Sequence, residues 1–163
     1  MLRVAPPIIN LSRQILVSGT AAVLILAAGA GIADASAVGY AKVAGFCFEA
    51  QGQQVCLPTI SLGHFIKGGG RSITRQEASV QDTLGADSSG LKWCNWRIDW
   101  RYSDTNGRTY LTSRGPLHSS CTWGASIGRV DKTKRTLKHY GKACADFFVS
   151  GKRRATQCHY ITK

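Results

Sequence analysis

Carboxylates are scarce in this sequence: nine Asp and Glu stand against 21 Lys and Arg in 163 residues. A chain so short of negative charge suits anionic partners such as wall polymers, anionic membrane surfaces, nucleic acid or an acidic protein, and charge alone does not choose among them. Metal-site spacings are missing too. His64, His118, His139 and His159 are far apart, no His-Glu-x-x-His motif and no Cys-x-x-Cys pair occurs, and neither a metal nor another cofactor is expected. Asp104-Thr105-Asn106-Gly107 opens like a calcium loop, but the downstream Glu that would complete one is absent, which leaves a turn. The absence of any internal repeat or heptad excludes a solenoid and a coiled coil.

What is present begins with an export signal. Arg3 and Arg13 supply the positive region, Ile15 to Ala33 form an apolar stretch broken only by Ser, Gly and Thr, and Ala35-Ser36-Ala37 is a small-residue cleavage site. Ala33-Asp34-Ala35 is a second such site. The stretch is nearly long enough to span a bilayer, so a retained anchor is the alternative, which the adjacent cleavage site disfavours. With no Arg-Arg pair in the signal, a Sec-type route to a secreted, extracellular product is expected. The resulting organisation is a signal peptide at 1–37, an N-terminal segment at 38–46 and a β-domain at 47–163. Residues 38–163 number 126, enough for one core and too few for two, and keep 19 basic and 8 acidic residues for a formal net charge of +11.

All six cysteines, Cys47, Cys56, Cys94, Cys121, Cys144 and Cys158, come after the signal, and an even count in an exported chain reads as three disulfides. Hairpin register narrows their pairing. Gln51-Gly52 is a turn whose flanking strands set Cys47 opposite Cys56, and Ser150-Gly151-Lys152 is a three-residue loop that sets Cys144 opposite Cys158. The turn at Asn106-Gly107 sets Cys94 opposite Ser119, so a Cys94 to Cys121 bridge needs a small bulge. Trp96, Ile98, Trp100 and Tyr102 alternate with Asn95, Arg97, Asp99 and Arg101, the pattern of a strand with an aromatic core face and a wet face. A stacking platform for sugars or bases is the competing use of those aromatics. Gly115-Pro116 ends the return strand that starts at Arg108. Gly68-Gly69-Gly70 and Thr83 to Gly90 read as loops, and Arg75 to Leu84 as room for one short helix. The expected fold is mainly β, a small disulfide-stapled antiparallel sandwich or barrel with one or two short helical turns.

Catalytic patterns are weak. Gly124-Ala125-Ser126-Ile127-Gly128 matches the nucleophile-elbow pattern, with Asp131 or Asp146 and His139 or His159 downstream in the right order. That pattern needs a strand-to-helix turn above a large α/β sheet, which this chain lacks. Glu49 or Glu77 with His118, His139 or His159 could serve a ribonuclease, yet nothing in the sequence brings them together. The clusters Lys132-Thr133-Lys134-Arg135 and Lys152-Arg153-Arg154 read as solvated faces, because the aromatics alternate with charge instead of standing among it, and nucleic acid is an unlikely partner.

Residues Cys94 to Cys121 and "TLKHYGKACADFFVSGKRRATQCHYI" at 136–161 resemble the small secreted Streptomyces-type adaptor subunits of umbrella toxin particles, assemblies used in antibacterial competition. The resemblance covers about the last 70 residues. It implies a non-enzymatic adaptor that bridges two larger secreted subunits, one lectin-bearing with a trypsin-like domain and one toxin-bearing with helical repeats. It further implies that the N-terminal segment, Val38, Gly39, Tyr40, Ala41, Lys42, Val43, Ala44, Gly45 and Phe46, occupies a cleft of the trypsin-like partner. Composition independently suits this segment to strand pairing, either with a partner's sheet edge or as the first strand of its own domain. The competing class is an autonomous effector: a small basic toxin acting on nucleic acid or envelope, or a protease inhibitor presenting Ser113-Arg114-Gly115-Pro116.

Overall fold

A computed structural model describes residues 35–82 and 90–163 of the chain. Most of the expected signal, residues 1–34, and nearly all of the expected 83–90 loop lie outside the described residues. The described chain is built from thirteen strands and contains no helix. They are β1 (Ala35–Val43), β2 (Phe46–Ala50), β3 (Gln53–Leu57), β4 (Ile60–Gly69), β5 (Ser72–Asp82), β6 (Leu91–Trp93) and β7 (Trp96–Ser103). Next come β8 (Thr109–Ser113), β9 (Thr122–Gly124), β10 (Ser126–Asp131), β11 (Arg135–Thr136), β12 (Gly141–Val149) and β13 (Lys152–Ile161).

All pairings are antiparallel. One sheet runs β1-β4-β5-β10, with β11 also on β5; a second runs β13-β12-β7-β8; two ribbons are formed by β2-β3 and β6-β9. The two larger sheets face each other like the layers of a β-sandwich, drawn together where β1 and β4 meet β13. Between them Leu62, Ala78 and Val80 from one sheet meet Ile98, Trp100, Tyr102, Ala145 and Phe147 from the other, all at most 4% exposed.

The aromatic alternation on β7 is therefore a core face, with Trp96 6%, Trp100 0% and Tyr102 1% exposed. The opposite face is drier than its charges suggest, which corrects the expected wet face. Asp99 is 3% exposed because Arg97 Nε donates to its carboxylate at 3.1 Å and the Gly115 amide donates at 3.0 Å. Directly across the ladder stands Asp146, also 3% exposed, held by Arg101 through Nε at 2.6 Å and Nη2 at 3.1 Å, and by the Thr156 hydroxyl at 2.6 Å. Two carboxylates directly opposite would repel each other, and each is instead covered by its own arginine.

The three predicted bridges form: Cys47–Cys56, Cys94–Cys121 and Cys144–Cys158, with Cα separations of 4.0, 4.1 and 4.0 Å. Such bridges belong to an oxidising environment. Cys47 faces Cys56 and Cys144 faces Cys158 in register. The required shift near Cys94 is also found. Trp100 pairs with Ser113, but Trp96 bridges to His118 and Trp93 pairs with Thr122, a slip of two residues by the far end, with Asn95 at φ 48° between them.

Three local expectations are corrected. The last loop is a two-residue turn at Ser150-Gly151, with φ of 49° and 76°, and Lys152 is already paired with Val149; a bulge at Phe147/Phe148 restores the register that joins the cysteines. Arg75 to Asp82 belong to β5, not to a helix. Gln, Glu and Ala favour helix locally, but Gln76, Ala78 and Val80 alternate into the core while β4 and β10 take up the backbone hydrogen bonds on both sides. Of the expected Gly loop only Gly70 lies in the turn: Gly68 and Gly69 end β4 after a bulge at Lys67/Gly68, where a Cβ on Gly68 would lie 1.9 Å from the Ser72 carbonyl oxygen.

Candidate binding face

β1 alternates small or apolar residues on one side with Ser36, Val38, Tyr40 and Lys42 on the other. Ala37, Gly39, Ala41 and Val43 turn inward, where Val43 is 2% exposed and Gly39 is so close to β13 that a Cβ would meet the side chains of Gln157 and His159. Val38 and Tyr40 turn outward and are 58% and 65% exposed. The strand pairs with β4 along its length, Ala35 with Gly68 through Val43 with Ile60. The structure thus places Val38 to Val43 as a strand of the domain's own sheet, Ala44 and Gly45 in a link, and Phe46 at the start of β2. Phe46 is covered by the Arg154 guanidinium 4.1 Å from its ring centre.

The outward side chains of this sheet stand in rows. Tyr40 is opposite Gly63, Gly63 opposite Ser79, and Ser79 opposite Gly128; the next row is Val38, Phe65, Glu77 and Val130. Where three adjacent strands present only Gly, Ser and Gly, the face sinks into a trough of about 280 Å³. Tyr40 lies over its β4 side: a Cβ on Gly63 would be 3.1 Å from the tyrosine ring. Val130, 56% exposed, stands on the β10 side, and Arg75 pairs with Glu77 on its floor.

Behind the same sheet runs a buried polar chain. The Tyr102 hydroxyl donates to Gln76 Oε1 at 2.8 Å, so the amide nitrogen of Gln76 faces His64 Nε2 at 3.0 Å and must donate to it. His64 Nδ1 then carries the proton, buried without a hydrogen bond of normal geometry. The His64 ring stacks on Trp100 with centroids 5.7 Å apart and lies 4.8 Å from His159, whose Nε2 donates to the His64 carbonyl at 2.9 Å. Burial, reinforced by His159 and only partly opposed by the Gln157 backbone, lowers the His64 pKa to about 3. A second proton on His64 would also set an N–H against the Gln76 amide. Arg129 on β10 closes the other side, donating to the carbonyls of Ile98 and Ser113 at 2.9 and 2.8 Å with its guanidinium 4.9 Å above the Trp100 ring. Desolvation lowers its pKa.

The groups with catalytic potential are dispersed. Ser126 is the first residue of extended β10 and forms no nucleophile elbow. His118 stacks on Trp96 at 3.9 Å, His159 lies at the β1–β13 corner, His139 precedes β12, Glu49 is on the β2-β3 ribbon and Glu77 is paired with Arg75. None of the predicted Glu–His pairs comes within hydrogen-bond reach. The Ser113–Pro116 loop leaves Arg114 and Pro116 exposed and is pinned at Gly115, which is bonded to Asp99 and where a Cβ would lie 2.2 Å from the Ile98 carbonyl oxygen. Among the described residues no three His, Cys, Asp or Glu gather as a metal site, and no helix is long and apolar enough to cross a membrane.

Sequence reasoning pointed to Val38 and Tyr40 but missed the trough beside them, because Gly63, Ser79 and Gly128 become neighbours only once the β4-β5-β10 register is known. It also missed the His64–Gln76–Tyr102 chain. No protein-family model matches this chain, and no curated protein or solved structure is significantly similar to it.

Proposed function

We propose that this protein is a secreted, non-enzymatic binding module whose contact face is the outer surface of the β1-β4-β5-β10 sheet, and that it acts as an adaptor between larger secreted proteins of an antibacterial toxin complex. The observation that carries the binding role is the placement of Val38, Tyr40 and Val130, each more than half exposed, around a trough of small residues on a sheet. Large apolar side chains grouped on the surface of a small domain mark contact sites. The sheet beneath them is tied at its back by Arg129, which donates to the carbonyls of Ile98 and Ser113. The adaptor role and the identity of the partners rest on the resemblance of residues 94–121 and 136–161 to umbrella-particle adaptors. Because β1 is already paired with β4, the partner meets the outward side chains of Val38 and Tyr40 and not a free extended arm.

The test is retention of co-secreted proteins on the immobilised exported protein. Wild type should hold a large secreted subunit, while Tyr40→Asp or Val130→Asp, which alter only outward residues, should fold normally and lose it. Retention by both variants at wild-type strength would remove this face from the interaction. Growth inhibition by the purified protein alone would favour the autonomous effector.

A further inference from the structure

At one end of the domain, away from the trough, three chain segments converge on a cleft of about 390 Å³: the β4-β5 return at Arg71, the β7-β8 tip at Asp104 to Asn106, and Lys138 to Tyr140 ahead of β12. The walls are tied together. Leu137 N donates to the Arg71 carbonyl at 2.8 Å, the Tyr110 hydroxyl donates to the His139 carbonyl at 3.3 Å, and Gly141 runs so close to the tip that a Cβ would lie 2.2 Å from the Ser103 carbonyl oxygen. Arg71 is fixed on two sides, by Nη1 donating to the Lys138 carbonyl at 2.8 Å and by its guanidinium 5.6 Å from the Tyr140 ring centre. An exposed arginine normally loses rotamer freedom when it binds, and here that cost is largely met beforehand.

Arg71, Lys138 and His139 line this cleft, the His139 ring standing edge-on to Tyr110 at 5.1 Å, and none of the three has a carboxylate partner among the described residues. One Arg71 donor of five is occupied. The other wall is made of acceptors and neutral groups. Asp104 Oδ1 receives the amides of Asn106 and Arg108 at 2.9 and 2.8 Å, while Thr105 and Asn106 add a hydroxyl and an amide. The Asp104 carboxylate accepts from a hydroxyl, so an anion that also carries hydroxyls can meet both walls, whereas the bare carboxylate of an acidic peptide meets only the cationic one. We infer that this cleft is a binding site for a phosphate group carried on a sugar or polyol, the phosphate on Arg71, Lys138 and His139 and the carrier's hydroxyls on the Asp104–Asn106 wall. The volume suits one such unit, and the excess positive charge of the chain raises the local concentration of anions around it.

The probes are glycerol 3-phosphate, inorganic phosphate and inorganic sulfate, titrated into the full exported protein by NMR at 150 mM salt. Glycerol 3-phosphate should bind at least fivefold more tightly than inorganic phosphate, with shifts confined to residues 71, 104–106 and 138–140. Lys138→Glu should weaken it at least tenfold. That variant is a clean one, because the fold uses the Lys138 carbonyl and not its side chain. Arg71→Lys, which keeps the charge but loses the fork, should weaken it severalfold, while Lys92→Ala on distant β6 should change nothing. Equal affinity for all three anions, or indifference to Lys138→Glu, would overturn the site. So would a single-stranded RNA oligonucleotide that bound more tightly than glycerol 3-phosphate with shifts spread across both sheets.

Discussion

Acidification from pH 7.5 to 4.5 should weaken the fold through His64, by an amount set by its surroundings. Its imidazole titrates near 6.5 in the unfolded chain and near 3 in the native one, because it lies between the sheets against Trp100 with His159 alongside. Below pH 6.5 the unfolded chain takes up a proton that the native chain refuses. Stability therefore rises with pH across this window: the contribution is complete above 6.5 and is lost progressively as pH falls towards 3. At 1.36 kcal/mol per pH unit the whole span is worth about 5 kcal/mol, of which about 3 kcal/mol is gone by pH 4.5. Set against a total of roughly 5–15 kcal/mol for a domain, that loss should lower Tm by about 10 °C. The assay is thermal unfolding monitored by tryptophan fluorescence, disulfides intact, for wild type and His64→Gln at several pH values. The glutamine keeps a polar group facing Gln76 but does not titrate, and every other side chain is the same in both proteins. The difference between the two pH profiles thus isolates His64. Identical profiles would refute the reasoning and place the acid sensitivity elsewhere.

Trp100→Ala removes a side chain that is 0% exposed and should cost about 3 to 5 kcal/mol, read as a fall in the urea midpoint of the purified protein. Replacing Cys144 and Cys158 together by Ala opens a loop with a sequence separation of 14 and should cost about 3 kcal/mol, with peptide mapping of the parent showing 144 joined to 158 and never to 121. Deleting Val38 to Lys42 while keeping residues 1–37 should lower Tm sharply, because β1 covers the β13 side of the core; an unchanged Tm would identify the segment as a dispensable arm.

Register was readable in the sequence at the Gln51-Gly52 turn, whereas at Ser150-Gly151 the expected loop is one residue too long and Cys144 still meets Cys158 because a bulge at Phe147/Phe148 restores the offset. A hairpin with a known turn leaves one pairing, and opposed cysteines then either coincide, as at 47 and 56, or demand a slip, as at 94 and 121. The aromatic face of β7 was readable for a related reason: with Trp and Tyr on one side and Arg and Asp on the other, period two has a single sensible orientation. Arg75 to Asp82 was not readable, since helix-favouring Gln, Glu and Ala sit in a strand held by two long-range partners, and those pairings are invisible to a local pattern.

The binding face failed to show for a different physical reason. In β1 Lys42 and Ser36 mark the outward side, but Val38 and Tyr40 beside them are bulkier and no less apolar than inward Ala37, Gly39, Ala41 and Val43, so alternation gave only a weak signal of which side meets water. The opposing sheet decides it. Gln157 and His159 on β13 leave no space beyond Gly39, so the small side must face in, and the bulkier Val38 and Tyr40 are turned out over Gly63 and its neighbours. A large apolar residue kept outside by a steric demand from within does no work for the core. Its exposure must then be tolerated or used, and the difference is measurable: a Tyr40→Asp protein with wild-type Tm and wild-type partner retention would show the tyrosine to be merely displaced, whereas wild-type Tm with lost retention would show that the strand's orientation also builds the binding face.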